Sequence, residues 1–380
     1  MPIYLDHNAS APLCPAAAAT MTRVLAAVGN ASSIHRYGQA AKALLDDARD
    51  AVAALIGGDP SEIVFTSGGS ESDNLALRGA AASGRRGMVV SAVEHEAVLH
   101  TARALARDGW RTTVVPCDGD GLVDPDRWRE AIDDDTAIVS LMLANNETGV
   151  IEPVAACARL ARERGALVHT DAVQAAGKMP IDVGALGVDM LTLSAHKFGG
   201  PQGAGVLWVR RGLTLTPQIA GGRQERGRRA GTENVAAIAA TGAAAAEARR
   251  TLSIAAVRMG ELRDRLERGL LDAVPGCAVN GCREHRVPNT TNISFDGVEG
   301  ESLVIALDLD GIAVSTGSAC ASGTLEPSHV LRAMHLPASR VQSAVRISLG
   351  PGTTDDDIQA VLDAVPRRVA RLRHLAGGRR

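Results

Sequence analysis

The chain has 380 residues, 46% hydrophobic and 22% charged, with 40 Lys and Arg against 43 Asp and Glu for a formal net charge of −3. That composition suits a soluble globular protein with more core than one domain usually holds, and it lacks the basic excess of a nucleic-acid binder. No apolar run approaches the roughly 20 residues that span a bilayer, and residues 1–6 lack the basic-then-apolar pattern of a signal peptide.

From residue 61 to residue 210, short apolar runs alternate with helical patterns. Segments 62–65, 88–93, 112–115, 137–143, 166–170 and 190–194 read as buried strands, and 72–78 and 154–164 as amphipathic helices. This alternation predicts a mostly parallel α/β sheet, the architecture that places ligands at the carboxyl ends of its strands. Gly221, Gly222, Gly227 and Gly231 mark a loop rich in Gly and Arg, followed by helical stretches at 235–250 and 257–274. The second of these leads into a smaller domain with strands at 292–295, 313–315 and 345–349. The basic tail, 367–380, reads as a solvated helix end.

Four constellations carry chemistry. In Phe65-Thr66-Ser67-Gly68-Gly69-Ser70-Glu71-Ser72-Asp73 a strand ends in a glycine turn and a helix begins, with Ser70 and Asp73 at capping-box spacing. Backbone N–H groups and hydroxyls at such a start cradle phosphate, although a capped helix without a ligand has the same pattern. In His169-Thr170-Asp171-Ala172-Val173-Gln174 a carboxylate stands just past a buried strand, where it is costly unless it meets a cation. A protonated pyridine nitrogen is such a cation; a helix N-cap is the plainer use of the same residue.

The third constellation, Leu193-Ser194-Ala195-His196-Lys197-Phe198-Gly199-Gly200-Pro201, holds one of only three lysines. Lys197, after a strand and before a turn, is the natural Schiff-base amine. Lys178 reads as part of a surface turn, and Lys42 as part of a polar helix face. Together the three segments supply different parts of one pyridoxal-phosphate site. The fourth, Ser315-Thr316-Gly317-Ser318-Ala319-Cys320-Ala321-Ser322-Gly323-Thr324, surrounds a cysteine with small residues, as suits a thiolate on a mobile segment. Cys14, Cys117, Cys157, Cys277 and Cys282 read as inert thiols. With no C-x-x-C pair among the six, neither a zinc site nor a disulfide framework is expected, and a reducing, cytoplasmic compartment fits.

These segments resemble the cysteine desulfurases of the class V aminotransferase family, within the fold-type I pyridoxal-phosphate enzymes. Further matching stretches are Tyr4-Leu5-Asp6-His7-Asn8-Ala9, Ser32-Ser33-Ile34-His35, Glu94-His95, Asn145-Asn146-Glu147-Thr148-Gly149, Gln224 through Asn234, and Arg346-Ile347-Ser348-Leu349. The stretch from Gly317 to Leu331 resembles the long-loop subgroup, and 224–234 is most similar to its nitrogenase-associated members. The resemblance implies an α/β fold with a seven-stranded, mostly parallel sheet in a large domain (15–256), and a smaller α+β domain (1–14 with 257–380) carrying the cysteine loop.

It also implies roles. Lys197 would hold pyridoxal 5'-phosphate and move the substrate Cα proton, and His95 would stack on the ring and assist. Asp171 would pair with the pyridine nitrogen, and Gln174 with the ring oxygen. Gly69, Ser70, Ser194 and His196 would hold the phosphate, with Thr232 contributed by the other subunit of a homodimer. Asn146, beside the cofactor, and Arg346 would bind the carboxylate of L-cysteine. Cys320 would receive the sulfur as a persulfide and pass it to an iron–sulfur scaffold or another acceptor protein. No stable metal site is implied, only Cys320 as a transient iron–sulfur ligand shared with a scaffold partner.

Ser70, Ala195, Gln202 and Pro351 depart from the residues common in the family (threonine, glycine, lysine and arginine), and none of the four changes removes a catalytic group. Transamination or selenocysteine cleavage would use the same fold, and the Cys320 segment is what argues against them. A non-catalytic nucleotide-binding module using 67–70 would leave Lys197, Asp171, His95 and Arg346 without a task.

Overall fold

In the computed structural model, which describes residues 2–80, 84–316 and 327–377, a two-residue strand, β1 (Ile3–Tyr4), opens the chain. Seven longer strands follow: β2 (Ile63–Thr66), β3 (Gly87–Ser91), β4 (Arg111–Val115), β5 (Thr136–Ser140), β6 (Leu167–Asp171), β7 (Met190–Ser194) and β8 (Gly205–Val209). They form one sheet in the order β2-β8-β7-β6-β5-β3-β4. β8 runs antiparallel to β2 and β7, and the remaining pairings are parallel. β8 is the strand that the run of apolar segments did not reveal. It returns from β7 through a glycine turn with no long helix between, so the strand–helix alternation breaks there.

Helices cover both faces, which is why these strands read as continuous apolar runs rather than alternating ones. Val89, Val139, Leu191 and Val206 point into one core, and Met88, Ile138, Met190 and Leu207 into the other. Four further strands, β9 (Cys277–Val279), β10 (Thr290–Phe295), β11 (Ile312–Ala313) and β12 (Ala344–Ser348), belong to smaller sheets. β12, β10 and β9 pair antiparallel in that order, and β11 pairs parallel with β1. Leu5, Leu266, Phe295, Leu303 and Val345 pack into a separate core there, so the N-terminal segment and the C-terminal third share one interior.

A single helix, Val235–Ala273, occupies the place of the two expected helices. Its first half contributes Ala237, Ala240 and Ala244 to the large core, and its second half contributes Leu262, Leu266 and Leu270 to the small one. Between them Ile254 and Val257 are exposed. The buried stripe changes face there, and a pattern-based reading takes that for a break. Among the described residues no helix is long and apolar enough to cross a membrane.

The Gly/Arg-rich loop is held by a buried ion pair. Glu225 and Arg226 lie at φ 47° and 57°, left-handed positions that L-residues occupy only when their surroundings compel it. Here Arg49 donates to both Glu225 carboxylate oxygens at 2.8 and 2.6 Å, and the Phe65 N–H donates to one of them at 2.9 Å. Removing the cation leaves a buried carboxylate unpaired. Arg49→Leu is therefore expected to lower stability by about 3–5 kcal/mol, measured as a reduced urea midpoint; a loss under about 1 kcal/mol would show that the pair is solvated.

Candidate active site

Five strand ends converge on one cavity of about 280 Å³, at the small end of ligand-site volumes. Gly69 and Ser70 follow β2, His95 follows β3, and Met142 and Asn146 follow β5. Asp171 ends β6, with Val173 and Gln174 behind it, and Ser194, His196 and Lys197 come from the end of β7. Asn8 and Ala9 of the N-terminal segment and Arg346 of β12 close the opposite wall.

The wall beneath β6 is acidic. Asp171 is the last residue of the strand, not the residue beyond it, and its carboxylate accepts the Val173 N–H at 2.9 Å. Burial raises its pKa, against the pull of His95, that N–H and Lys197. Asp73 was expected to cap its helix. It is instead buried at 1% exposure and lines the cavity, and burial, then Asp171, pushes its pKa well up. The helix Gly69–Gly79 has Gly68 at its N-cap with no side-chain cap bond. His169 behind them is fully buried between Ser140 Oγ (2.9 Å) and Thr192 Oγ1 (3.0 Å), and burial lowers its pKa to about 3. Burial holds this pair toward its neutral form, and a cation arriving in the cavity would favour the charged carboxylates.

The opposite wall is basic and centres on Asn8. Lys197 Nζ donates to the backbone oxygens of Asn8 at 2.6 Å and Ala9 at 2.9 Å. Burial, then the Arg346 guanidinium, pushes its amine down to about 8, while Asp171 and Asp6 oppose the shift. Lys178, expected in a surface turn, is 5% exposed. Its Nζ donates to Asn8 Oδ1 at 2.8 Å and to Gln174 Oε1 at 2.5 Å. Within Gly177-Lys178-Met179-Pro180 the lysine side chain turns inward, and sequence punctuation marks a turn without saying which way its side chains face.

An anion can be held at the β2 and β7 ends. The first N–H groups of helix Gly69–Gly79 have no partner within the helix, and Ser70, Ser194 and His196 stand beside them on the cavity wall. A Cβ at Gly69 would lie 3.1 Å from Val173 Cγ2, tighter than an ordinary contact, so a larger residue would crowd this corner. Glu71 fixes the turn by accepting from the Ser67 N–H at 2.8 Å and from Arg229 Nε at 2.9 Å. On the far side Arg346 pairs with Asp6 at 2.7 Å and donates to the Asn146 backbone oxygen at 3.1 Å. Asp73 Oδ1, Asn146 Oδ1 and Arg346 Nε are buried and make no hydrogen bond among the described residues. All three residues line the cavity, so a polar ligand there would meet unsatisfied groups.

The structure brings Gly69, Ser70, His95, Asn146, Asp171, Gln174, Ser194, His196, Lys197 and Arg346 to this one cavity. Thr232 is exposed and does not line the cavity of its own chain. Cys320 lies outside the described residues. Asn8, Asp73 and Lys178 are the residues that sequence reasoning passed over, because nothing in a pattern marks an asparagine or lysine for burial among polar partners.

Comparison with known proteins places the whole chain in one family. The Aminotransferase class-V family model matches residues 3–361. A protein of Cereibacter sphaeroides named cysteine desulfurase is 49% identical over 98% of this chain and 97% of its own length. Cysteine desulfurase IscS of Dictyoglomus turgidum is 43% identical over 98% and 96%. The solved structure of a NifS-like protein superposes with a TM-score of 0.92 at 36% identity, covering 98% of this chain and all of that one.

With the amine at about 8, Lys197 is half neutral near that pH, whereas an exposed lysine becomes so near 10.4. Trace acetylation followed by peptide mass spectrometry should show Lys197 reactivity rising through about pH 8. Arg346→Gln removes a cation that favours the neutral amine, so the midpoint should move upward. A midpoint near the ordinary lysine value of about 10.4 would contradict the burial.

Proposed function

The chain belongs to the aminotransferase class-V family, and from that premise we propose that its cavity is the site of a pyridoxal-phosphate-dependent cysteine desulfurase. The observation that carries this reading is the presence of Lys197, Asp171 and Arg346 on the walls of one cavity, with an anion cradle between the β2 and β7 ends. The fit is good. The two buried carboxyls would gain from a cation, the open N–H groups after Gly68 can receive an anion, and Lys197 offers an amine down at about 8.

Gly69, Ser70, Ser194 and His196 would hold the phosphate, Asp171 the pyridine nitrogen, Gln174 the ring oxygen and Lys197 the aldehyde carbon, with His95 and Asn146 beside them. Pyridoxal phosphate supplies an electron sink that stabilises negative charge at the substrate Cα. Arg346 and Asn146 would orient the carboxylate of L-cysteine, since the guanidinium suits planar two-oxygen recognition. Lys197, once neutral, would take the Cα proton, and His95 would assist its transfer.

The Cys320 thiolate would attack the substrate sulfur. An S–S bond forms, the substrate Cβ–S bond breaks, and the net change is L-cysteine plus thiol to L-alanine plus persulfide. Support comes from the flanks of the cysteine segment. Ser315 exchanges backbone hydrogen bonds with Arg346 (3.1 and 2.6 Å), and Ser328 Oγ donates at 2.5 Å to Glu147, the neighbour of Asn146. The sulfur would pass to an acceptor protein, an iron–sulfur scaffold being the first candidate, with Cys320 as a transient cluster ligand there. A reducing, cytoplasmic setting suits a chain that needs a free thiol. We also place the boundary between large and small domains near residue 256, inside helix Val235–Ala273, with 1–14 joining 257–380.

After brief exposure to cysteine, mass spectrometry should find a persulfide on the Cys320 peptide and on none of those carrying Cys14, Cys117, Cys157, Cys277 or Cys282. Cys320→Ser should keep the visible cofactor band and lose alanine production, whereas Lys197→Ala should lose both. Normal turnover in Cys320→Ser would refute the assignment.

We further assign Thr232 to the phosphate of a neighbouring subunit, because it is exposed on a loop that the Arg49–Glu225 pair fixes. Light scattering should report a dimer, and Thr232→Ala should weaken cofactor retention while the dimer persists. A fully active monomer would remove this assignment.

A further inference from the structure

Lys178 has no task in the reaction described above, yet it is one of the most costly residues in the site. It is 5% exposed, and among the described residues no carboxylate stands within ion-pair distance of it. The charged and titratable groups that face it are Lys197 from the turn after β7, Arg346 from β12 and His7 from the N-terminal segment. None offsets a buried positive charge, so the amine is kept for the hydrogen bonds it donates.

Those bonds decide the orientation of two amides. Asn8 Oδ1 accepts from Lys178 Nζ at 2.8 Å and from Asn289 Nδ2 at 3.1 Å, which turns Asn8 Nδ2 toward the Asn146 oxygen and Thr290. Gln174 Oε1 accepts from Lys178 at 2.5 Å, and Gln174 Nε2 donates to the Asn8 backbone oxygen at 3.0 Å. With its oxygen engaged and one N–H bonded, Gln174 has one N–H left, and it lines the cavity. We infer that Lys178 is the positioning residue that locks Gln174 as a hydrogen-bond donor, not an acceptor, toward the cavity.

This inference rests on the reading of the cavity as a pyridoxal-phosphate site, where the group facing Gln174 is an anionic ring oxygen. A donor held on that oxygen stabilises the deprotonated chromophore, so losing the donor lets the chromophore protonate at higher pH. The test is a pH titration of the visible band of the cofactor-loaded enzyme without substrate.

Lys178→Met should shift the midpoint to higher pH, Gln174→Ala should do the same, and the double variant should add nothing further, since both remove one interaction. Lys178→Gln, which keeps a donor for one of the two oxygens, should shift it less, and it carries the test if Lys178→Met does not accumulate as soluble protein. An unchanged midpoint, or additive shifts in the double variant, overturns the inference. A wild-type protein with no visible band would instead overturn the cofactor reading itself.

Discussion

Asn8 is the residue on which the two halves of the molecule meet. Its backbone N–H donates to Ser348 Oγ of β12 at 3.0 Å, and its side-chain nitrogen to the Asn146 oxygen and Thr290 Oγ1. Its side-chain oxygen accepts from Lys178 and Asn289, and its backbone oxygen from Gln174 and Lys197. Each of these is a buried or half-buried polar contact, and losing a partner inside a protein costs the desolvation of the group left behind. One short segment thus ties β10 and β12 of the small core to the β5, β6 and β7 ends of the large sheet. The basic wall of the cavity is built on that tie.

The two walls differ in how their charges are compensated. Beneath β6, Asp73 and Asp171 are buried side by side, with a neutral His169 behind them instead of a cation. Across the cavity Lys197, Lys178 and Arg346 stand together, and among the described residues only Arg346 has a carboxylate partner, Asp6 at 2.7 Å. Acid and base face each other across the cavity, an arrangement that suits a dipolar or zwitterionic ligand. Burying these charges carries an electrostatic cost that the rest of the fold must outweigh.

That support comes from ordinary packing. The strands beneath the site are buried on both faces, and the helix Val235–Ala273 runs through both cores, so neither core can shift without bending it. The loop bearing Thr232 is held in two left-handed residues by the Arg49–Glu225 pair, and the Glu71–Arg229 pair fixes the same loop against the start of helix Gly69–Gly79. Both pairs lie close to the start of helix Gly69–Gly79, so the loop and the cavity corner are held by the same contacts.

The amino-acid sequence determined the strands that carry the site and the residues that end them. Apolar runs followed by Gly69-Ser70, Asp171 and Lys197 need only a local reading, because a parallel sheet sends the ends of its strands to one edge. Scarcity of lysine and the small residues around Cys320 narrowed the chemistry in the same local way. The tertiary structure alone decided that Asp73 lies inside instead of capping a helix, that Lys178 turns inward, that β8 closes the sheet antiparallel and that one helix serves both cores. It alone showed Asn8 to be the junction. Each of these depends on which distant group supplies the partner for a buried donor, acceptor or charge, and pairing across 138 to 340 residues leaves no periodic trace in the sequence.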